Sequence, residues 1–243
     1  MNDVAIDGLI RAATDRYAPA GPFFRHFARG KLTHDPIYLE LLRRGAVPEG
    51  ARLLDLGCGQ GLLFALFGAA RHCHDAGTWP QGWPAPPRVA SMHGIELDTG
   101  KVRAARRALA DLATIEQGDL CRTALPDSDV VVVFDVLHYI ADGACQEHIL
   151  HAAAHALRKG GTLLLRVGDT AAAGRFRVTH LTDYAVQMAR GVMRPRFRYR
   201  SVGEWVGLLE QAGFSVTDEP MRRGTPFANH LLTGQMGPHP QHR

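Results

Sequence analysis

Several protein classes are excluded by what this chain has little of. Cysteine occurs four times in 243 residues, at 58, 73, 121 and 145, without paired spacing. That pattern predicts reduced thiols, not a disulfide framework or a zinc site. His72-Cys73-His74-Asp75 offers ligating side chains, but neighbours at a helix end point in different directions, so no metal is expected there. No apolar run approaches the length of a membrane span, and the opening residues carry Asp3, Asp7 and Asp15 without a secretory apolar core. A cytoplasmic protein with no membrane span is the expectation. Lysine is scarce as well: 25 of the 28 basic residues are Arg. What remains is 46% hydrophobic and 21% charged, enough to bury the core of one α/β domain with additions.

The most informative segment is Leu53-Leu-Asp-Leu-Gly-Cys-Gly-Gln-Gly61, an apolar strand running into three alternate glycines. Gly57, Gly59 and Gly61 permit a sharp turn and leave bare backbone for a ligand. Leu62, Leu63, Ala65 and Leu66 suit a helix whose positive end faces that ligand. The dinucleotide fingerprint would need its third glycine where Leu62 stands, which argues against NAD, FAD and a pyrophosphate cradle.

The loop instead resembles that of class I S-adenosylmethionine-dependent methyltransferases. The resemblance implies that Asp55 orients the cofactor's ammonium group and that Gly57, Cys58, Gly59 and Gly61 pack against its methionine part. Residues 89–98 look like a second strand ending in a carboxylate; Glu96 would hold the ribose hydroxyls, with Leu97 beside it, while Asp98 is placed to cap the next helix. Ile-Glu-Gln-Gly-Asp-Leu at 115–120 is similar to the family's third-strand loop, which assigns Asp119 and Leu120 to the adenine. The β-branched run at 129–135 suits the centre of a parallel sheet and ends at Asp135. These four stations cover about residues 50–168. One departure is the interval from Gly57 to Glu96, longer than the roughly 20 residues usual in nucleotide folds. A Pro- and Trp-rich surface insertion at about 71–88 accounts for it.

Around these stations the pattern predicts helices at 4–17, 23–29 and 36–44, then strand 51–56, helix 60–70, strand 89–96, helix 99–110 and strands 112–117 and 129–134. Helix 142–158, strand 161–168, an extra segment at 170–200, helix 202–212 and strands 214–219 and 227–233 follow. Alternation of this kind demands a parallel sheet with right-handed crossovers. The expected fold is a Rossmann-like, doubly wound, seven-stranded, mostly parallel sheet with an N-terminal helical cap; the family resemblance implies an antiparallel last strand. The expected organisation is a cap at 1–50, the cofactor-binding domain at 51–234 and a disordered tail at 235–243.

Methyl transfer from a sulfonium needs in-line alignment, and a base only when the acceptor is protonated. Asp135 and His138 follow the fourth strand, where the family keeps its residues around the reacting methyl. His138 has the pKa to deprotonate a hydroxyl, although a histidine satisfied by packing is the plainer role. Within the cap, the resemblance assigns Arg29 or Lys31 to the methionine carboxylate, and Tyr17 and Phe24 to the acceptor pocket. Residues 170–200 hold seven Arg against Asp183 alone, a local +6 in a chain of net +4. Alternation puts Arg194, Arg196, Arg198 and Arg200 on one side of an extended segment, either as a solvated face or as a dock for an anionic partner, with Arg194 and Arg198 as the candidate contacts.

The expected function is S-adenosylmethionine-dependent methylation of a small-molecule or carrier-protein-tethered acyl or aryl acceptor at oxygen, with S-adenosylhomocysteine as product, by a monomer or homodimer. The motif order resembles small-molecule methyltransferases of bacterial biosynthetic clusters. A tRNA or rRNA methyltransferase is the alternative that the arginines and a pI of about 9.1 admit. The lack of an RNA-binding module and of an Asn-Pro-Pro-Tyr-type motif counts against nucleic acid. A catalytically silent cofactor-binding scaffold is the alternative from another class.

Overall fold

Proline and glycine punctuate the first helices. In the computed structural model, which describes residues 2–189, 192–221 and 226–237, α1 (Asn2–Asp15) is followed by α2 (Pro22–His34) and α3 (Pro36–Arg44). Pro22 and Pro36 stand at first helical positions, where no N–H is missed. Asp35 caps α3 by accepting from the Ile37 N–H, and Gly45 ends it at φ 60°, a left-handed turn that glycine adopts without strain.

The chain forms two units, Met1–Arg122 and Thr123–Arg243. In the first, β1 (Arg52–Leu56), α4 (Leu62–Asp75), β2 (Ser91–Glu96), α5 (Thr99–Leu109) and β3 (Thr114–Gln117) alternate. The strands are parallel in the order β3-β2-β1, with Leu56 opposite Ile95 and Glu96 opposite Gln117. Helix α4 runs five residues past its expected end, since Cys73 is buried and Arg71 pairs with Asp75 one turn on. The loop after it is held in place: the Trp79 indole donates to the Pro84 carbonyl at 3.0 Å, the Trp79 and Trp83 rings meet edge to face at 5.7 Å, and Gln81 bonds Asn2 through both its N–H and its carbonyl.

In the second unit, β4 (Ser128–Phe134), α6 (Gly143–Ala156), β5 (Leu157–Gly168), α7 (Ala173–Ala189), α8 (Val202–Gln211), β6 (Phe214–Pro220) and β7 (Asn229–Met236) follow. The order is β4-β5-β7-β6, with β4 and β5 parallel and β7 antiparallel to both neighbours. Val130 to Val133 are fully buried, as a continuous β-branched run requires. Three plus four strands with intervening helices are the seven of a Rossmann-like, doubly wound fold.

Three expectations change. The Gly160-Gly161 corner belongs to the start of β5, where the register with β4 shifts and Gly160 turns at φ 75°. Gln235 and Met236 pair within β7, so the strand takes the first residues of the expected tail; residues 238–243 lie outside the described residues. Cys58 and Cys73 are free thiols, but Cys121 and Cys145 are disulfide-bonded, against the expectation of four reduced thiols. Pairing depends on sulfur separation in the folded chain, which spacing along it does not report.

Gly94 shows how close the first unit is packed: a Cβ there would lie 2.7 Å from the Cys58 sulfur and 2.8 Å from a Phe64 ring carbon. Gly94→Ala is expected to cost about 1–3 kcal/mol by overpacking. Gly8→Ala, in α1 with nothing within 4 Å, is expected to add about 0.4–1 kcal/mol by restricting the unfolded chain. Urea unfolding checks both, and equal midpoints for the two variants would contradict this account.

Candidate functional site

Backbone dictates the first half of the site. Gly57, Gly59 and Gly61 take φ of 73°, 59° and 78°, all left-handed. The turn is locked by β2: the N–H groups of Gly57 and Cys58 both donate to the Ile95 carbonyl, at 2.8 and 3.1 Å, and the Gly61 N–H donates to the Cys58 carbonyl. These donors are already used, so the loop does not offer the row of free N–H groups that cradles a phosphate. Gly61 has a packing role besides: a Cβ there would fall 2.4 Å from a Leu109 methyl. At Gly59 the nearest atom to such a Cβ is a Glu96 oxygen at 4.0 Å, so space lies open over this glycine.

Two carboxyls face that space. Glu96, at the end of β2, accepts from the Gly59 N–H at 2.9 Å through Oε2 and from the Asp98 N–H at 2.8 Å through Oε1. A carboxylate has about four acceptor positions, which leaves roughly one per oxygen for a pair of ligand hydroxyls. Asp55, at the end of β1, is 6% exposed. Burial, with the nearby Glu96 charge, pushes its pKa up to about 7. Lys101 Nζ approaches Glu96 at 3.9 Å. A buried carboxyl beside a second carboxylate favours a cationic ligand, which an aminoacyl sulfonium with two ribose hydroxyls satisfies. Leu97 is 67% exposed beside Glu96, and Asp119 is half-exposed, accepting the Cys121 N–H at 3.0 Å ahead of buried Leu120.

The cap grips the glycine loop through a residue that the sequence reading passed over. Gln60 is buried; its carbonyl accepts from the Tyr17 hydroxyl at 2.8 Å and its side-chain amide donates to the Phe24 carbonyl at 2.8 Å. Tyr17 is fully buried, so it positions the loop and does not face an acceptor pocket. Arg29 pairs with Asp7 at 2.9 Å and Lys31 with Asp35 at 2.7 Å, both inside the cap.

In the second unit, β4 ends at Asp135, whose φ of 58° is the one positive value at a non-glycine position among the described residues. Its carboxylate receives Arg166 through both Nε, at 2.8 Å, and Nη2. Arg166 is 2% exposed in the middle of β5, where a buried guanidinium requires such a partner. Asp135, expected to act at the reacting methyl, pairs with Arg166 through both oxygens and so holds the turn after β4, with its side chain 32% exposed. His138 follows in the short turn Leu137–Tyr139. Its Nε2 is buried without a hydrogen bond, 3.4 Å from Asp183 Oδ2 on α7. Burial holds the imidazole below its ordinary pKa, and the Asp183 and Asp135 charges only partly offset this. Asp183 also accepts from the hydroxyls of Tyr139, at 3.0 Å, and Tyr199, at 2.7 Å, whose ring stacks on His138 at 5.2 Å.

Arg194, Arg196 and Arg198 are exposed in alternation with half-buried Pro195, Phe197 and Tyr199, as the pattern predicts. Arg200 departs from it: its guanidinium donates to Gln146 Oε1 and Glu147 Oε1 at 2.9 and 2.8 Å. Gln146, fully buried, donates in turn to the Leu137, Ile140 and Arg198 carbonyls, tying this segment to the His138 turn. Arg190 lies outside the described residues. Of the residues missed, Arg166 was signalled by a charge inside an apolar strand and Asp183 by being the only acid at 170–200; Gln60 and Gln146 gave no signal.

Asp55→Asn separates stability from ligand binding. Because the folded pKa, about 7, exceeds the ordinary carboxyl value of 3.8, wild-type Asp55 binds its proton more tightly when folded. Its contribution to stability is fullest below about pH 4 and declines as pH rises to about 7. The Asn variant is therefore expected to melt higher than wild type at pH 8, with the gap closing toward pH 5, and to bind S-adenosylhomocysteine more weakly. Thermal unfolding with calorimetry checks both; a lower melting point at pH 8 would contradict the assignment.

Residues 24–219 match the family model described as a methyltransferase domain. Among curated proteins the chain is 25% identical to the ubiquinone biosynthesis O-methyltransferase of Xylella fastidiosa over 196 residues, 80% of this chain and 73% of that protein. It is 39% identical to the acetylserotonin O-methyltransferase of Mus musculus over 100 residues, 40% of this chain and 24% of that one. The structure of human N-acetylserotonin methyltransferase in complex with S-adenosylmethionine shares the fold, with a TM-score of 0.60 and 20% identity over 95% of this chain; this chain spans 58% of that one. With its glycine loop, its paired carboxyls and a family match over most of its length, the chain belongs to the methyltransferase-domain family and is an S-adenosylmethionine-dependent methyltransferase.

Proposed function

We propose that the chain methylates a hydroxyl oxygen of a small organic acceptor and that His138 takes the acceptor's proton. The observation that carries this reading is the buried imidazole of His138, kept neutral at pH 7 by burial and set beside Asp183. The two curated relatives are named O-methyltransferases, which supports oxygen as the acceptor atom. Bound S-adenosylmethionine supplies an activated methyl with a neutral leaving group, so the protein's share is alignment and proton removal.

Each residue then has a role. Asp55 meets the cofactor's cationic end, Glu96 takes the ribose hydroxyls on its remaining lone pairs, and Gly59 leaves room for the ligand. Leu97, Asp119 and Leu120 are assigned to the adenosine part of the cofactor, and Phe24 to the acceptor. With Nε2 directed at Asp183, Nδ1 is the atom of His138 that accepts the proton, and the Asp183 carboxylate stabilises the imidazolium that forms. Asp183 is a positioning residue: it reaches the reaction through His138.

His138→Ala is expected to lower turnover by about 10²–10⁴ while leaving S-adenosylhomocysteine affinity unchanged. Steady-state rates on a panel of small hydroxylated acceptors, with calorimetry for affinity, check this; joint loss of both would assign His138 to structure alone. The acid limb of the rate profile is expected below the ordinary imidazole value of about 6.5. Asp183→Asn removes a charge that raises the pKa, so it should move that limb to still lower pH. A limb that stays in place in Asp183→Asn would detach Asp183 from the base.

A further inference from the structure

The outward face of α7 reverses the usual polarity of a surface helix. Its inner side is formed by buried Thr179, by Phe176, whose ring meets Tyr199 at 4.9 Å, and by Asp183. On the opposite side, Val178, Leu181, Tyr184 and Met188 fall within an arc of about 120° at 100° per residue. They are 39%, 69%, 41% and 44% exposed, and beyond the helix Val192 and Met193 continue the apolar surface at 42% and 82%. A monomeric surface helix normally turns polar residues to water on that side.

The exposed charges of residues 170–200 are of one sign. Arg177, Arg194, Arg196 and Arg198 are exposed, and the one acid of residues 170–200, Asp183, is turned inward onto two tyrosine hydroxyls. Within residues 170–200 the exposed side chains named here thus combine apolar groups, an amphipathic tyrosine and guanidinium groups, and the segment's one carboxylate is turned inward. We infer that α7 and the arginine segment after it form a docking surface for an anionic lipid bilayer, lying in the headgroup plane. A bilayer fits better than a folded protein because insertable apolar side chains beside cations suit a non-directional anionic surface. The charge complementarity is to lipid phosphate, and no membrane-crossing segment is involved; among the described residues no helix is long and apolar enough for one.

Co-sedimentation with vesicles tests this on the full chain. Binding is expected to vesicles of phosphatidylcholine with phosphatidylglycerol, to weaken with salt, and to be absent with phosphatidylcholine alone. Leu181→Glu with Met188→Glu, and separately Arg177→Glu with Arg196→Glu, are each expected to reduce binding at least about tenfold, with S-adenosylhomocysteine affinity retained as a check on folding. Tyr184→Trp gives a second readout that leaves the charges intact: its added emission should shift to the blue on anionic vesicles. Failure of wild type to sediment with anionic vesicles, or full retention by the Leu181/Met188 variant, would overturn the inference. Salt-sensitive capture by an acidic acyl carrier protein without vesicle binding would replace the bilayer by a protein dock.

Discussion

The Ile95 carbonyl, which accepts from two successive N–H groups of the glycine loop, is the contact on which the cofactor half of this protein depends. It fixes Gly57 and Cys58 against β2, and the next residue, Glu96, then accepts from Gly59. The loop's shape and the carboxylate's position therefore come from one pair of strands in register. Tyr17 and Gln60 add a second hold from the cap, so a loop of left-handed glycines is constrained at three successive points. Preorganisation of this kind spares the ligand the cost of ordering backbone on binding.

The second unit solves a different problem, the burial of charge. Arg166 lies within an apolar strand and is tolerated because Asp135, at the left-handed corner after β4, presents both oxygens to it. Asp183 gathers two tyrosine hydroxyls and a histidine, and Gln146 satisfies three carbonyls where the arginine segment meets the turn that carries His138. Buried polar groups without partners would cost about 1–3 kcal/mol each, so such networks fix a single arrangement of the turn. His138 Nε2 is the exception, buried without a hydrogen bond. That nitrogen lies 3.4 Å from Asp183 Oδ2.

The glycine loop and α7 carry opposite electrostatic characters. Around the glycine loop buried carboxyls stand ready for a cationic ligand, whereas along α7 exposed guanidinium groups face outward with apolar side chains between them.

The sequence by itself determined the alternation of strands and helices, the glycine loop, the carboxylates at 55 and 96 and the buried fourth strand, because each is written in neighbouring residues: period, turn chemistry and strand-end position. It also placed Arg194, Arg196 and Arg198 on one side of an extended segment. Only the tertiary structure decided that Arg200 turns inward to Gln146, that Tyr17 serves the loop, that Asp135 pairs with Arg166, that two cysteines are oxidised and that 173–189 is a helix with its apolar side outward. Each of these depends on partners 16 or more residues away or on which face meets the core. Local pattern records a side chain's type and spacing, but not which distant group is brought within hydrogen-bonding reach when the strands align.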